Sequence, residues 1–264
     1  MGAGASVRPP CPLRAGETLS VPVNFMLIDL HVYTAPSAGP SVERAVSMAR
    51  DQGLDAIAIV DRAASAEVAR AVVDQRFGDF PVFVGVELAT TAGDVLVFVP
   101  DLDPFYTREE WRELEVLGLP ELSDVVEMVE RHKGVVLGAH AYDRRRERAP
   151  RDRVFALSSL AGFQVWTSTS DRQANHVALE AGARAQVGAF AGSASVSERG
   201  VRQPWVTLFA AEPQTQADLV EALEGGDFWP VEIADSRSRS GGRGGRSSRS
   251  NRGRRGGSNR HAHG

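Results

Sequence analysis

The chain is predicted to adopt an α/β fold built on a parallel sheet, and two observations support this prediction. Short apolar runs alternate along the chain with segments in which apolar residues recur at helical spacing. Polar residues end or follow several of these runs, and they are His31, Asp61, Glu87, His140 and Ser193. Because the carboxyl ends of parallel strands meet at one edge of a sheet, we expect functional side chains to collect there.

The predicted strands are short, and several are apolar throughout, as expected where both faces of a strand are buried. Their ranges are 25–30, 55–60, 81–86, 95–99, 134–139, 163–166, 187–191 and 206–210, and the segment 228–233 closes the domain. About seven strands are expected to alternate with helices. Helices are predicted from about residue 41 to Gly53 and over 65–76, 107–117, 122–132, 172–181 and 215–223. A closed (β/α) barrel is the favoured arrangement, and an open doubly wound sheet is the alternative.

The charge of the chain is distributed unevenly. Nine of the 30 basic residues lie in 236–264, which contains no acidic residue, so the first 235 residues carry a net charge of −13. We therefore expect a disordered leader over 1–22, a folded domain over 23–234, and a disordered tail rich in Arg, Gly and Ser over 235–264. A single cysteine excludes an intramolecular disulfide. No apolar run approaches the roughly 18 residues of a membrane span, so a cytoplasmic protein without membrane contact is expected.

Six segments resemble, in order, motifs of the PHP (polymerase and histidinol phosphatase) family. They are DLHVYT (29–34), GLDAIAIVDR (53–62), GVE (85–87), LGAH (137–140), FQVW (163–166) and AGSASV (191–196). The resemblance implies a distorted seven-stranded TIM-like barrel that binds up to three divalent metal ions, such as Mn, Zn or Fe. It also implies hydrolysis of phosphoesters, because a metal ion lowers the pKa of its bound water and neutralises phosphate charge.

The chain departs from this family pattern at positions where metal ligands are expected. Those positions carry Tyr33, Arg62, Ala194 and Val196. The candidate ligands that remain are His31, Glu87, His140, Asp61 and Asp94. We therefore expect a reduced metal site or none, and no catalytic residue is assigned. One interpretation is a single ion bound by the two histidines and Glu87, and another is that Glu87 pairs with Arg62 in place of a metal.

Basic residues suggest two further binding functions. An anion, such as the phosphate of a small molecule or of a nucleic acid, is expected to contact Tyr33, Arg62, Arg144 and Arg145. The tail resembles the Arg-Gly-Gly tails of RNA-binding proteins, and its candidate contacts are Arg243, Arg246, Arg249, Arg252, Arg254 and Arg255.

Three functions are therefore open. The favoured one is a catalytically impaired phosphoesterase homologue that binds phosphate-bearing ligands or nucleic acid. The first alternative is an active phosphoesterase with a mononuclear metal site. The second is a non-enzymatic scaffold whose tail binds RNA or an acidic partner.

Overall fold

The computed structural model describes residues 24–62, 77–102, 119–147, 149–157, 159–185, 187–194 and 205–233. The predicted leader and tail lie outside these residues, as do the helices predicted over 65–76 and 107–117. The α/β class is confirmed, because the described residues form ten strands and four α-helices.

The strands are β1 (Met26–Val32), β2 (Ala56–Ile59), β3 (Val82–Val84), β4 (Val86–Thr90), β5 (Gly93–Phe98), β6 (Val135–Gly138), β7 (Gly162–Trp166), β8 (Gly188–Ala191), β9 (Trp205–Phe209) and β10 (Phe228–Glu232). All strands except β4 follow the predicted apolar runs, and β4 lies beyond them apart from its first residue. The helices are α1 (Val42–Gln52), α2 (Leu122–Arg131), α3 (Arg172–Ala185) and α4 (Gln216–Gly225). Short 3₁₀ turns occupy Ala35–Ser37 and Arg151–Ala156.

The limits of α1 show how local sequence sets these elements. The Ser41 side chain accepts a hydrogen bond from the Arg44 backbone N–H, as an N-cap residue does. Gly53 ends the helix in the left-handed conformation with φ of 78°, and its N–H bonds to the last turn. Both ends agree with the sequence prediction.

The strands pair in two five-stranded sheets, with orders β10-β9-β1-β2-β3 and β4-β5-β6-β7-β8. The expectation of a parallel sheet is wrong in part. The pairs β1–β9, β9–β10, β4–β5 and β5–β6 are antiparallel, whereas β1–β2, β2–β3, β6–β7 and β7–β8 are parallel. The described ladders do not close into a single sheet, so a closed seven-stranded barrel stays a prediction.

Gly85 connects the two sheets. A Cβ at this position would lie 2.6 Å from the Phe98 ring and 2.7 Å from the Val97 carbonyl oxygen, so a side chain does not fit. The run predicted as one strand over 81–86 is divided here into β3 and the start of β4. Apolarity could not reveal the division, because both pieces are buried. The crossing places Glu87 on β4, beside the end of β2.

The second connection joins the end of β8 to the end of β1. The Ala194 backbone N–H donates to the His31 carbonyl at 2.7 Å, and the Ser193 N–H donates to the Asp29 carboxylate at 2.9 Å. A core of large aromatic residues lies among the strands and packs on α4, and it contains Phe83, Phe98, Phe190, Phe209 and Phe228. These two connections bring the ends of β1 and β8 and the start of β4 into one region.

Candidate functional site

His31, Glu87 and His140 meet in the structure. His31 lies on β1, Glu87 on β4, and His140 follows β6. Each offers one ligand atom, and these atoms all lie within 4.8 Å of one another. All three side chains are buried. Two imidazoles and one carboxylate form a donor set that suits a divalent metal with an open coordination position.

His31 is held as a neutral imidazole. Its Nδ1 lies 3.2 Å from Oε1 of Gln164, and its Nε2 has no hydrogen-bond partner among the described residues. Burial, together with the neighbouring His140, lowers the pKa of His31 to about 3. Because Gln164 Oε1 can only accept, the proton belongs on Nδ1, and Nε2 keeps the lone pair that a metal would need.

Gln164 orients this region, although it was not among the candidate site residues predicted from the sequence. Its Oε1 also accepts from the backbone N–H of His140 at 3.2 Å, and its amide nitrogen donates to the Gly192 carbonyl at 3.1 Å. The second contact identifies which end of the amide is oxygen. A polar residue inside the apolar run 163–166 was the available signal, since a buried amide needs partners.

Glu87 accepts two hydrogen bonds through Oε2, and its buried Oε1 has no hydrogen-bond partner among the described residues. Its Oε2 accepts from the Tyr33 hydroxyl at 2.6 Å and from Arg62 Nε at 3.1 Å. Burial alone would raise the pKa of Glu87, but His140, His31 and Tyr33 outweigh it and hold that pKa well below its usual range. The pairing of Arg62 with Glu87 that the sequence suggested is present, and Glu87 is ionised at neutral pH.

His140 presents Nε2 to the same carboxylate. This nitrogen lies 3.2 Å from Glu87 Oε1, 3.4 Å from the Tyr33 hydroxyl and 3.0 Å from Nη2 of Arg146. The contact with Glu87 needs a proton on Nε2, whereas a hydrogen bond from Arg146 needs a lone pair there, so Glu87 and Arg146 compete for this nitrogen. His140 Nδ1 and Ser170 Oγ are both unpartnered among the described residues and line one cavity of about 10 Å³. That volume is about the size needed for one water molecule.

Arg146 contacts Glu87, His140 and Asp94, although it was not among the candidate residues predicted from the sequence. Its Nη1 lies 2.5 Å from Asp94 Oδ2 and 3.6 Å from Glu87 Oε1. The two arginines selected from the same run lie elsewhere: Arg145 pairs with Asp143 at 3.2 Å, and Arg144 is exposed. Of these three consecutive arginines, only Arg146 is placed by the structure against Glu87.

Asp61 and Asp94, the additional candidate ligands, have other partners. Asp61 accepts from the Thr34 backbone N–H at 2.7 Å and from the Thr34 hydroxyl, so it holds the loop that follows β1. Asp94 pairs with Arg146. Neither belongs to the group of atoms that His31, Glu87 and His140 form.

A separate polar group, the β1–β8 junction, consists of Asp29, His31, Gly192, Ser193 and Ala194. Asp29 Oδ1 accepts from the backbone N–H of His31 at 3.1 Å and of Ser193 at 2.9 Å. Burial raises the pKa of Asp29 to about 6, although these hydrogen bonds act in the opposite direction. The Ser193 hydroxyl donates to the His31 carbonyl at 3.0 Å, so Ser193 supports the backbone beside the site.

No protein-family model matches the sequence, and no curated protein matches it. Solved structures do match. PsfC from Pseudomonas syringae is similar over 80% of this chain and 93% of its own, with a TM-score of 0.59 and 15% identity. A two-domain protein from Bacteroides vulgatus, described as containing a predicted PHP-like metal-dependent phosphoesterase, has a TM-score of 0.54 and 13% identity over 80% of this chain. The match spans 65% of that protein's length.

An amidohydrolase from Chromobacterium violaceum, with bound sulfate and no metal, is similar over 80% of this chain and 99% of its own, with a TM-score of 0.51 and 15% identity. This chain has a PHP-like fold. At these identities the comparison confirms the resemblance at the level of the fold, and it leaves activity to be argued from the site.

The group of His31, Glu87 and His140 fits a divalent metal in the kind and spacing of its donors. Among the described residues, His31 Nε2 is buried without a hydrogen-bond partner, so this nitrogen is available to bind an ion. The fit is incomplete, however, because Arg62 and Arg146 contact Glu87 and Arg146 also contacts His140 Nε2. A divalent ion would have to displace at least one guanidinium group from these atoms.

Two sequence predictions lie beyond this region. The tail arginines, including Arg243 and Arg254, lie outside the described residues, so RNA binding by the tail stays a prediction. In the part of the chain that the structure describes, no helix combines the length and apolarity that crossing a bilayer requires.

Proposed function

We propose that this protein is a PHP-like barrel homologue with an eroded metal site, impaired in phosphoester hydrolysis, that binds a phosphate-bearing ligand. The observation that supports this function is the convergence of Arg62 and Arg146 on Glu87. Guanidinium groups here stand where metal ions would otherwise contact a phosphate, and their remaining N–H groups can donate hydrogen bonds to it.

Impaired hydrolysis follows from what the arginines lack. A metal ion supplies Lewis acidity and an activated water molecule, whereas a guanidinium group supplies charge and hydrogen bonds only. Glu87 remains an anion held by donors, and His31 remains neutral at neutral pH. These residues would bind and orient a phosphate group, but none of them is placed to activate water as a metal does.

Phosphate binding follows from the exposure of the two arginines. The Arg62 side chain is 61% exposed and contacts Glu87 through Nε, and the Arg146 side chain is 27% exposed. Arginine presents five N–H donors in a planar fork that matches phosphate geometry. The Chromobacterium protein of similar fold holds sulfate without a metal.

The test is calorimetric titration of the full chain with inorganic phosphate, and then with a nucleoside monophosphate and a short single-stranded RNA. We expect Arg62→Gln to weaken phosphate binding about tenfold, because it removes a charged donor. Arg50→Gln is the matched control, since Arg50 pairs with Asp79 on the surface. Equal affinity in the wild type and Arg62→Gln would contradict the proposal. The nucleotide and the RNA distinguish small-molecule from nucleic-acid sources of the phosphate.

A second function, an active phosphoesterase with one metal, is favoured by the free Nε2 of His31 and the compact donor set. It predicts turnover of p-nitrophenyl phosphate with Mn²⁺ or Zn²⁺, lost in the His31→Ala, His140→Ala double variant. The favoured function predicts that the wild type and this variant turn over the substrate equally slowly.

The third function rests on the tail. Deleting residues 236–264 is expected to abolish RNA binding if the tail is responsible, with a salt dependence typical of phosphate contacts. RNA binding unchanged by the deletion would exclude the tail as the contact and leave the Arg62 region as the candidate.

A further inference from the structure

We propose that Arg146 acts as an internal cation that takes the place of a divalent metal in the His31, Glu87 and His140 cluster and thereby excludes the metal. This goes beyond the proposed function, since it concerns which cation the site accepts rather than which anion. It also holds whether or not phosphate binds.

The first observation is the set of contacts that the Arg146 guanidinium makes. One guanidinium group reaches three different partners, Asp94 at 2.5 Å, His140 at 3.0 Å and Glu87 at 3.6 Å. Two of these three partners also belong to the donor set that a metal would use. Arg62 differs, because its contact is with Oε2 of Glu87 and no described contact joins it to either histidine.

The second observation concerns Nε2 of His140. Nε2 is the His140 nitrogen that lies beside Glu87, so it is the one that a metal shared with Glu87 would require. Arg146 Nη2 lies 3.0 Å from that same nitrogen. The guanidinium therefore occupies the space beside Nε2 that an ion bound by Glu87 and His140 would need, so Arg146 and a metal compete directly.

The third observation is the net charge of the side chains around Glu87. Glu87 and Asp94 contribute two negative charges to the arginine cluster, which we define as Arg62, Glu87, Asp94 and Arg146. The two guanidinium groups neutralise them, and a divalent ion would add two positive charges to a balanced group. Without Arg146 the cluster has a net charge of −1, which favours a cation.

Because of its location, Arg146 can be replaced without disturbing the strands, and its replacement should allow a metal ion to bind. Arg146 lies in the turns that follow β6, on no regular element, and 27% of its side chain is exposed. Removing its guanidinium therefore leaves the strands that carry His31 and Glu87 in place. The prediction is that an uncharged residue of similar length at position 146 converts the cluster into a metal site.

The experiment measures zinc by mass spectrometry in untagged full-length protein, after incubation with Zn²⁺ and gel filtration. Arg146→Met is expected to retain close to one zinc ion per chain, and the wild type less than a tenth of that. Arg145→Met is the matched control, because it removes the same charge from the same loop but its partner is Asp143. It should retain as little zinc as the wild type.

A second readout is the melting temperature with Zn²⁺ and with EDTA. Arg146→Met should melt at a lower temperature in EDTA and recover with Zn²⁺, because the ion replaces the lost charge, and the wild type should be insensitive to both. The double variant His31→Ala, Arg146→Met should retain no zinc. That result would place the ion in the cluster rather than at the histidines of the tail.

Equal zinc retention by the wild type and Arg146→Met would overturn the proposal, and so would retention that survives His31→Ala. If Arg146→Met folds only with zinc present, the proposal is supported. If it folds in neither condition, Arg146→Gln decides, since it also removes the charge but keeps a polar side chain. Zinc retention above the wild type supports the proposal, and retention equal to the wild type overturns it.

Discussion

The β1–β8 junction and the arginine cluster both contain buried carboxylates, but they satisfy them differently. In the junction, Asp29 accepts from two backbone N–H groups. In the arginine cluster, Glu87 and Asp94 are paired with guanidinium groups on side chains that reach toward solvent. Backbone donors are fixed by the strands, whereas long side chains can exchange partners. The junction therefore holds the fold together, and the arginine cluster is where ligands can be exchanged.

The backbone of His31 belongs to the junction, and its ring faces the site. We expect titration of this ring to have the largest effect on the free energy of unfolding. Its pKa is about 3 in the folded protein against an ordinary value of 6.5. The unfolded chain therefore binds the proton more readily, and stability is complete above pH 6.5 and decreases as the pH falls toward 3. The full loss is about 4–5 kcal/mol.

The measurement is the free energy of unfolding in urea at several pH values for the wild type and His31→Gln, which cannot titrate. The decrease should be smaller in the variant by the amount that His31 contributes. Asp29 acts oppositely between about pH 4 and 6, because its raised pKa makes stability fall as the pH rises there. It is present in both proteins and cancels in the comparison. Parallel pH profiles would show that His31 does not titrate on unfolding.

Glu87→Gln tests the arginine cluster. The change leaves Arg146 and the partly exposed Arg62 without their shared carboxylate, and breaking a buried ion pair typically costs about 3–5 kcal/mol. We expect the lower end of this range, because solvent reaches both arginines. Asp79→Asn is the control, since Asp79 pairs with Arg50 on the surface, and we expect no measurable change there. Similar unfolding curves for both variants would contradict this prediction.

Gly192→Ala tests the junction through its backbone. A Cβ at Gly192 would lie 2.6 Å from His31 Cβ and 2.8 Å from its backbone nitrogen, so β8 must move away from β1. The expected loss is about 1–3 kcal/mol, as for overpacking of a core. Gly225→Ala in α4 is the matched control, because its Cβ would meet nothing within 4 Å. That change should stabilise the protein by about 0.5–1 kcal/mol. Equal effects at both glycines would show that the junction tolerates displacement.

Arg62→Gln should have the smallest effect on stability, below about 1 kcal/mol, since 61% of the side chain is exposed. The difference from the wild type should shrink further in 1 M salt, which screens exposed charges. The same variant is expected to lose phosphate affinity about tenfold, so this substitution should affect phosphate binding more than it affects the stability of the fold. A stability loss as large as that of Glu87→Gln would place Arg62 among the residues that hold the fold.

Part of the site could be predicted from the sequence because it depends on strand ends. His31, Glu87 and His140 each end or follow an apolar run, and such ends meet whenever the runs become neighbouring strands. The Arg62–Glu87 pair was suggested by the resemblance, because Arg62 stands where the family pattern has a metal ligand and its charge is opposite to that of Glu87. The division of 81–86 at Gly85 could not be predicted, because a buried strand and a buried crossing have the same composition.

The sequence by itself determined the α/β class, the strand ends that carry the cluster, and the loss of several expected metal ligands. Only the tertiary structure decided which arginine of the run 144–146 faces Glu87, and that Asp61 binds Thr34 instead of facing the cluster. The physical reason is that turns have no periodicity. The direction of a side chain on a turn depends on the path of the backbone and on distant partners such as Asp94.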